Sequence, residues 1–111
     1  MIARTWRGWT RKEDGEEYLA YQLETGLAAY RQTEGNRGVI ALRRYKDGRA
    51  EFFFVTLWES REAITRFAGS DVERAVFYPE DAKYLVARDE HVDHFEVVHT
   101  DGVVTQLVPQ A

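Results

Sequence analysis

The stretch EFFFVTLWES, residues 51–60, decides the fold because it is apolar on both faces of a predicted strand. Side chains alternate between the two faces of a strand. One face therefore carries Phe52, Phe54, Thr56 and Trp58, and the other carries Phe53, Val55 and Leu57. An antiparallel sheet with one face in water alternates apolar with polar residues. This strand does not, so each of its faces needs a cover.

A turn signal directly before this stretch sets the pairing of two strands. Asp47-Gly48 is typical of a two-residue hairpin loop. This loop places Arg44 opposite Glu51, an opposite-charge pair that supports the register. One face of the hairpin is then plainly apolar and carries Ile40, Leu42, Phe53 and Val55. The other face mixes aromatic and polar side chains, namely Val39, Ala41, Arg43, Tyr45, Ala50, Phe52, Phe54, Thr56 and Trp58.

Upstream of the hairpin, the pattern predicts one strand and one long helix. Residues 1–8 are predicted to form the strand. Residues 12–33 have helical spacing, with an apolar stripe formed by Leu19, Leu23, Leu27 and Tyr30. Gly26 lies on that stripe, where its missing side chain leaves room for a neighbouring element or a ligand.

Downstream of the stretch, capping residues predict two short helices. Ser60 is a suitable N-cap for the first of them. Ser70 and Glu73 form a capping-box pattern for the second, which Pro79 ends. Residues 94–100 are predicted to be a strand. A second hairpin signal at residues 101–102 predicts a short fifth strand in VVTQLV, residues 103–108.

The predicted elements follow the order β-α-β-β-α-β. This order is that of an α+β, ferredoxin-like fold with an antiparallel sheet. The helices of that fold cover one face of the sheet. The simplest cover for the other face is a second copy of the chain, so we expect a homodimer.

Length and composition bound the remaining possibilities. The chain has 111 residues, enough for one domain, and a net charge of −4, which disfavours binding to nucleic acid or anionic membranes. No apolar run approaches the roughly 20 residues that span a bilayer. The absence of cysteine excludes disulfides and thiolate metal sites. We expect a cytoplasmic protein with one domain over residues 1–100 and a C-terminal extension over residues 101–111.

Several segments together resemble the antibiotic biosynthesis monooxygenase family of the dimeric α+β barrel superfamily. They are MIARTWRG, TEGNRG after the first predicted helix, the hairpin, and LWES followed by EAITRFAGSDVERAVFYPED. The resemblance spans residues 1–98. It implies a dimeric α+β barrel with a cavity between sheet and helices in each subunit. Many family members oxidise polycyclic aromatic or quinone-like substrates without metal or flavin.

The superfamily also includes haem-degrading relatives, whose pattern has a Trp in the helix after LWES and a His further along. At the matching positions this sequence has Phe67 and Phe77. The resemblance therefore implies no haem. The three histidines, at positions 91, 94 and 99, have no regular spacing, which disfavours a metal site. We expect neither a cofactor nor a metal.

Oxygenation of an aromatic substrate without a cofactor needs a flat apolar slot and a group that holds or removes a phenolic proton. Candidates for the slot are Trp6, Gly26, Phe54, Thr56, Trp58, Phe67 and Phe77. Candidates for the catalytic polar group are Arg43, His94 and Tyr30, with Arg4 and Tyr84 as further ones. The alternative for each aromatic residue is a place in the core, and for Arg43 an ion pair at the sheet edge.

Two functions of different classes fit this sequence. The first is a cofactor-independent monooxygenase, an oxidoreductase acting on an aromatic or polyketide-like small molecule. The alternative is a non-catalytic dimeric module that binds a small hydrophobic ligand or serves in stress or regulation. The motifs of nucleotide-dependent, serine-hydrolase and zinc-protease chemistry do not occur.

Overall fold

A five-stranded antiparallel sheet forms the frame of the molecule. A computed structural model describes residues 1–102 of the chain. The strands are β1 (Ile2–Arg11), β2 (Asn36–Lys46), β3 (Arg49–Trp58), β4 (Leu85–Arg88) and β5 (Asp93–Glu96). Their order is β2-β3-β1, and both β4 and β5 pair with the free edge of β1. Two short strands therefore share one edge of the sheet.

The hairpin between β2 and β3 confirms the predicted turn and register. Asp47 and Gly48 have φ values of 54° and 74°, the positive values that a type I′ turn requires at both positions. Arg44 pairs with Glu51 in the register, and the Nη2 of Arg44 lies 3.0 Å from the Oε1 of Glu51. The same register continues to Gly38 opposite Leu57, and it shifts by one residue between Gly38 and Asn36, which pairs with Trp58.

The long helix predicted over residues 12–33 is broken into α1 (Gly15–Glu24) and α2 (Gly26–Gln32). At the break, Thr25 has φ −118° and ψ −93°, and its hydroxyl donates to the carbonyl oxygen of Tyr21 at 2.8 Å. A side chain bonded to the backbone of the preceding turn competes with regular helix geometry. Gly26 therefore opens a new helix, and its predicted position in a helix interior is wrong.

The predicted apolar stripe of this helix is wrong at Leu23, which is 60% exposed. The buried positions of α1 include Tyr18 and Gln22, which come one residue before Leu19 and Leu23 of the predicted stripe. Tyr18 is fully buried because its ring packs on Phe52 of β3, with centroids 4.8 Å apart. The packing of an aromatic ring on the sheet, rather than the leucine periodicity, sets the buried face of α1.

The region after β3 contains one predicted helix and lacks the other. The first is α3 (Arg61–Ala68), whose N-cap Ser60 accepts a hydrogen bond from the backbone NH of Ala63 at 3.1 Å. The second, expected from the capping box at residues 70–73, is wrong. Residues 69–80 instead follow an irregular path, and a single helical turn, α4 (Asp81–Tyr84), comes only after Pro79.

The irregular path is stabilised by hydrogen bonds to the loop between β4 and β5. The backbone NH of Ala75 donates to the carbonyl of Glu90, and the NH of Val92 donates to the carbonyl of Glu73, both at 2.9 Å. These long-range bonds replace those that a local helix would have made. The strand expected over residues 94–100 is shorter, and β4 was not predicted. The predicted strand in residues 103–108 lies outside the described residues.

The two faces of the sheet differ as the sequence predicts. On the face toward the helices, Ala50, Phe52, Phe54, Thr56 and Trp58 are all buried. On the opposite face, here called the open face, Ile40, Phe53 and Val55 are half-buried, and Leu42 is exposed. The fold is α+β and ferredoxin-like, as predicted. Within residues 1–102, no helix has the length and apolar character needed to cross a bilayer.

Candidate functional site

A small cavity lies between the covered face of the sheet and helices α1 and α2, and residues 75–78 close it on a third side. Its apolar lining consists of Trp6, Phe54, Ala75, Val76, Phe77 and Val92, together with Gly26. Its polar lining consists of Arg4, Tyr18, Gln22, Tyr30, Tyr78 and Asp81. The cavity volume of about 20 Å³ is enough for roughly one water molecule.

Three aromatic rings form the apolar wall of the cavity. The ring centroid of Trp6 lies 5.4 Å from that of Phe54 and 6.3 Å from that of Phe77. The indole NH of Trp6 donates to the carbonyl of Asp89 at 2.8 Å, which fixes the orientation of the ring. The guanidinium carbon of Arg88 lies 3.7 Å from the centroid of the Phe77 ring, a cation–π contact. The wall is therefore rigid on the β1 and β3 side and partly built by residues 75–78.

A buried polar cluster lies at one end of the cavity. Gln22 donates from its Nε2 to the hydroxyl of Tyr18 at 2.9 Å and to the Oδ1 of Asp81 at 3.4 Å. The Oδ2 of Asp81 accepts from the backbone NH of Tyr78 at 2.5 Å. Asp81 is only 2% exposed, and this burial raises the pKa of its carboxyl group above the ordinary value. A carboxylate with a raised pKa is a stronger proton acceptor than a solvated one.

A buried cation lies at the sheet side of the cavity. Arg4 is 3% exposed, and its Nη2 donates to the carbonyl oxygen of Arg74 at 2.9 Å. Burial lowers the pKa of Arg4 from its ordinary value of 12.5, but the guanidinium remains charged at neutral pH because arginine is not deprotonated in proteins. Burial also raises the pKa of Tyr30 to about 12, with the charge of Arg4 opposing this effect. Tyr30 is thus a neutral hydroxyl at physiological pH.

Five of the ten predicted site residues line this cavity: Trp6, Gly26, Tyr30, Phe54 and Phe77. A Cβ placed on Gly26 would lie 2.5 Å from the Oε1 of Gln22 and 3.6 Å from Tyr78, so the glycine keeps space open at this point. Leu23 and Leu27 of the predicted apolar stripe instead line a separate surface groove beside β2.

The remaining slot candidates belong to the core beside the cavity. Trp58 is fully buried and donates from its Nε1 to the hydroxyl of Thr56 at 2.8 Å. The ring of Phe67 packs against both Tyr30 and Trp58, with centroids 4.6 and 5.9 Å away. Thr56, Trp58 and Phe67 thus stabilise the residues that line the cavity without lining it themselves.

Arg43 and His94, two of the three predicted catalytic residues, do not line the cavity. Arg43 lies on β2 and forms an exposed ion pair with Glu16 at 3.0 Å. His94 pairs with Arg4 across β1 and β5, and its Nδ1 lies 3.6 Å from the Oε1 of Glu73. Burial lowers the pKa of His94, which keeps the imidazole neutral beside the Arg4 cation.

Asp81, Gln22 and Tyr18 line the cavity but are not among the predicted site residues, and Arg4 is only a secondary candidate. Asp81 follows Pro79, and nothing local distinguishes a buried aspartate from a turn residue. A usable signal existed for Arg4. It shares with Ile2 and Trp6 the face of β1 that packs against the apolar core, an unusual position for a charged residue.

The chain belongs to the antibiotic biosynthesis monooxygenase family, and its α+β fold agrees with this. The family pattern, described as antibiotic biosynthesis monooxygenase, matches residues 1–77. It covers β1 to α3 and extends to Phe77 at the edge of the cavity. No curated protein matches the chain.

Solved structures share the fold at low sequence identity. A crystal structure of an antibiotic biosynthesis monooxygenase is 17% identical, has a TM-score of 0.63, and covers 89% of this chain and 100% of that chain. The heme-degrader MhuD from Mycobacterium tuberculosis, with two hemes bound in its active site, is 20% identical with a TM-score of 0.58, covering 92% and 100%. A dimeric ferredoxin-like protein from an uncultured marine organism is 14% identical with a TM-score of 0.54, covering 90% and 96%.

The residues around the cavity do not fit a haem group. Within residues 1–102, no histidine lines the cavity, and no three His, Cys, Asp or Glu residues cluster as metal ligands. Tyrosine is an alternative axial ligand in some haem proteins. Tyr30, however, has its pKa raised to about 12, which disfavours the tyrosinate that would bind iron.

Proposed function

We propose that the protein binds a small aromatic, polyketide-like molecule in this cavity and oxidises it with dioxygen, without a cofactor. The observation that carries the proposal is the lining of the cavity. The aromatic residues Trp6, Phe54 and Phe77 and the buried Asp81 line the same cavity. Such a space combines a slot for a flat ring with a group that accepts a proton away from water.

The chemistry assigned to the residues is proton removal followed by direct reaction with oxygen. Asp81 accepts a proton from an activated CH₂ or phenolic OH of the substrate, leaving an electron-rich carbanion or phenolate. This anion transfers electrons to O₂ and forms a carbon–oxygen bond, and the resulting peroxide anion takes the proton back from Asp81 to give a hydroperoxide. Loss of water then leaves a carbonyl. One oxygen atom stays in the product, the other leaves as water, and the substrate is the reductant.

Tyr30 has a supporting role in this proposal. Its hydroxyl stays protonated because burial raises its pKa to about 12, so it can donate a hydrogen bond but not act as a base at neutral pH. A neutral donor in an enclosed site stabilises negative charge that develops on a substrate oxygen. His94, held neutral behind Arg4, remains a secondary candidate for a base.

Residues 69–80 are proposed as the movable wall of the site. The cavity of about 20 Å³ is far smaller than an aromatic ring system, so a ligand must displace part of the lining. These residues have no regular secondary structure and contribute four residues to the lining, whereas the other walls are strands and helices. Segments with few regular backbone hydrogen bonds open at the lowest free-energy cost.

A second copy of the chain is proposed as the cover of the open face. Leu42 and Phe95 on that face are 50% and 57% exposed, and Ile40, Phe53 and Val55 beside them are half-buried. A contiguous apolar sheet face of this kind is typical of a protein interface. An isologous sheet-on-sheet dimer would bury the same residues of both copies.

A non-catalytic ligand-binding module is the second candidate, and one observation favours it. Both carboxylate oxygens of Asp81 already accept hydrogen bonds, from Gln22 and from the backbone of Tyr78. An aspartate with this arrangement can be a purely structural link between α1 and the turn before α4. In that case the cavity would bind an aromatic ligand without turnover.

Oxygen consumption separates the two candidates. An oxygen electrode measures uptake with anthrone and with a hydroquinone, while product formation is followed by absorbance. The monooxygenase proposal expects one O₂ consumed per carbonyl formed, with loss of turnover in Asp81→Asn. The matched control is Glu80→Gln, which neutralises the neighbouring exposed carboxylate and should keep full activity. Saturable binding without uptake in the wild type would favour the binding module.

A further inference from the structure

Arg4 is a buried cation without an ionic partner. It is 3% exposed, yet within residues 1–102 no carboxylate oxygen lies within 4.0 Å of its guanidinium. The carboxylate whose charge acts on Arg4 is that of Glu73, and it is already shared between Arg61 at 3.3 Å and His94 at 3.6 Å. Buried charges in proteins are otherwise paired or bound to a ligand.

The hydrogen-bonding capacity of Arg4 is also incompletely used. Its Nη2 donates to the carbonyl of Arg74, but its buried Nε has no acceptor among the described residues. Arginine stays protonated in proteins, so burial cannot be relieved by loss of the charge. An unpartnered donor of a buried cation that lines a cavity is a site for a ligand anion.

We propose that Arg4 binds an oxyanion carried by the aromatic ligand, so that the ligands of this site are aromatic monoanions. The proposal rests on the proposed function only in placing an aromatic ligand in the same cavity. The oxyanion is a carboxylate or an ionised phenol or enol, which present the same negative oxygen to the guanidinium.

The placement of Arg4 on β1 supports the binding of an aromatic ligand with its oxyanion toward the guanidinium. Arg4 and Trp6 are two residues apart and point to the same face of the strand, and both line the cavity. A ring that packs on Trp6 therefore brings an oxygen substituent toward the guanidinium. Asp81, on a different segment of the lining, disfavours a second anionic group and favours a hydrogen-bond donor at the other end.

Isothermal titration calorimetry at pH 7 tests the charge preference with three probes of similar shape: 2-naphthoate, the neutral 2-naphthamide, and a nitronaphthol that is ionised at this pH. We expect the wild type to bind at least one anion about tenfold or more tightly than the amide, because one hydrogen bond to a charged group contributes a free energy of that size. Tighter binding of 2-naphthoate would indicate a carboxylate ligand, and tighter binding of the ionised nitronaphthol would indicate a phenolate ligand.

Substitutions assign the preference to Arg4. In Arg4→Met the ratio of anion to amide affinity should fall to about one, and in Arg4→Lys part of it should return, because a cation remains. Arg61→Met is the matched control, since it removes an exposed cation near Glu73 outside the cavity, and the ratio should persist. Circular dichroism checks the fold of each variant.

Two results would overturn the inference. One is a wild type that binds the amide as tightly as both anions, which needs no variant and holds even if Arg4→Met fails to fold. The other is a folded Arg4→Met that keeps the anion preference. Oxygen uptake is measured in parallel. Anion preference without uptake leaves this inference standing and removes the oxidation, whereas uptake without anion preference does the reverse.

Discussion

The two faces of the sheet share the same strands but bury different kinds of groups. On the covered face, helices and residues 75–78 enclose aromatic rings together with Arg4 and Asp81, which are 3% and 2% exposed. On the open face, Leu42 and Phe95 remain 50% and 57% exposed, while Arg7 lies over the ring of Phe53 at 4.6 Å. Buried charges beside a cavity indicate a small-molecule site, whereas exposed apolar residues indicate a protein interface. A single strand, β3, contributes to both faces, because Phe54 lines the cavity and Phe53 lies on the open face.

The largest expected effect separates two adjacent phenylalanines of β3. Phe52→Ala on the covered face should lower the free energy of unfolding by about 3–5 kcal/mol, because a fully buried ring is lost and leaves a void. Phe53→Ala on the open face should cost less per chain in dilute protein. If a second copy covers this face, its cost should grow with protein concentration. Urea denaturation at several concentrations measures both, and equal, concentration-independent losses would contradict the distinction.

A charge on the open face should dissociate the proposed dimer. Val55→Lys places a cation between Thr5 and Ile40 in the sheet. Arg7 already lies on the same face, and the substitution brings no carboxylate to pair with the new charge. An unpaired charge in an interface is costly, so the dissociation constant should rise about 100-fold or more, or about 2.7 kcal/mol. Sedimentation equilibrium checks it. Leu23→Lys, on the exposed side of α1, is the control and should leave the molecular mass in solution unchanged. A wild-type protein that is monomeric at micromolar concentration would contradict the proposed dimer.

The smallest effect concerns the pH dependence contributed by Asp81. Burial raises the folded-state pKa of this carboxyl above its ordinary value of 3.8, so the folded state binds its proton more tightly than the unfolded state. The stabilisation is present below pH 3.8 and is lost as pH rises through the folded-state pKa. Relative to Asp81→Asn, the wild type should therefore become less stable as pH is raised above 3.8. Denaturation curves at acidic and neutral pH measure the difference, and an opposite slope would show that hydrogen bonds from Gln22 and Tyr78 outweigh burial.

The covered face and the hairpin could be predicted because their signals are local. Asp47-Gly48 fixes the register, and alternation along β3 assigns each side chain to a face. Trp6 and Phe54 could be placed near the cavity by the same reasoning. Arg43 could not be excluded, because alternation gives its face but not its distance from the cavity along that face.

The wall made by residues 69–80 could not be predicted. The capping-box pattern there favours a helix locally, but backbone hydrogen bonds to Glu90 and Val92 outcompete it through contacts far apart in sequence. The burial of Asp81 follows from this path, since the turn at Pro79 brings it against Gln22 of α1. The polar half of the candidate site thus depends on tertiary contacts that periodicity and capping do not encode.

The most direct test of the account is whether filling the cavity from Gly26 abolishes ligand binding. A leucine at this position would displace the amide of Gln22 and extend into the space near Tyr78, and the backbone of Gly26 is compatible with a side chain because it opens a helix. Ala28→Leu, two residues away and lining the surface groove, is the matched control. For 2-naphthoate, calorimetry should show binding about tenfold or more weaker in Gly26→Leu and unchanged in Ala28→Leu. Unchanged affinity in a folded Gly26→Leu would place the ligand site outside this cavity.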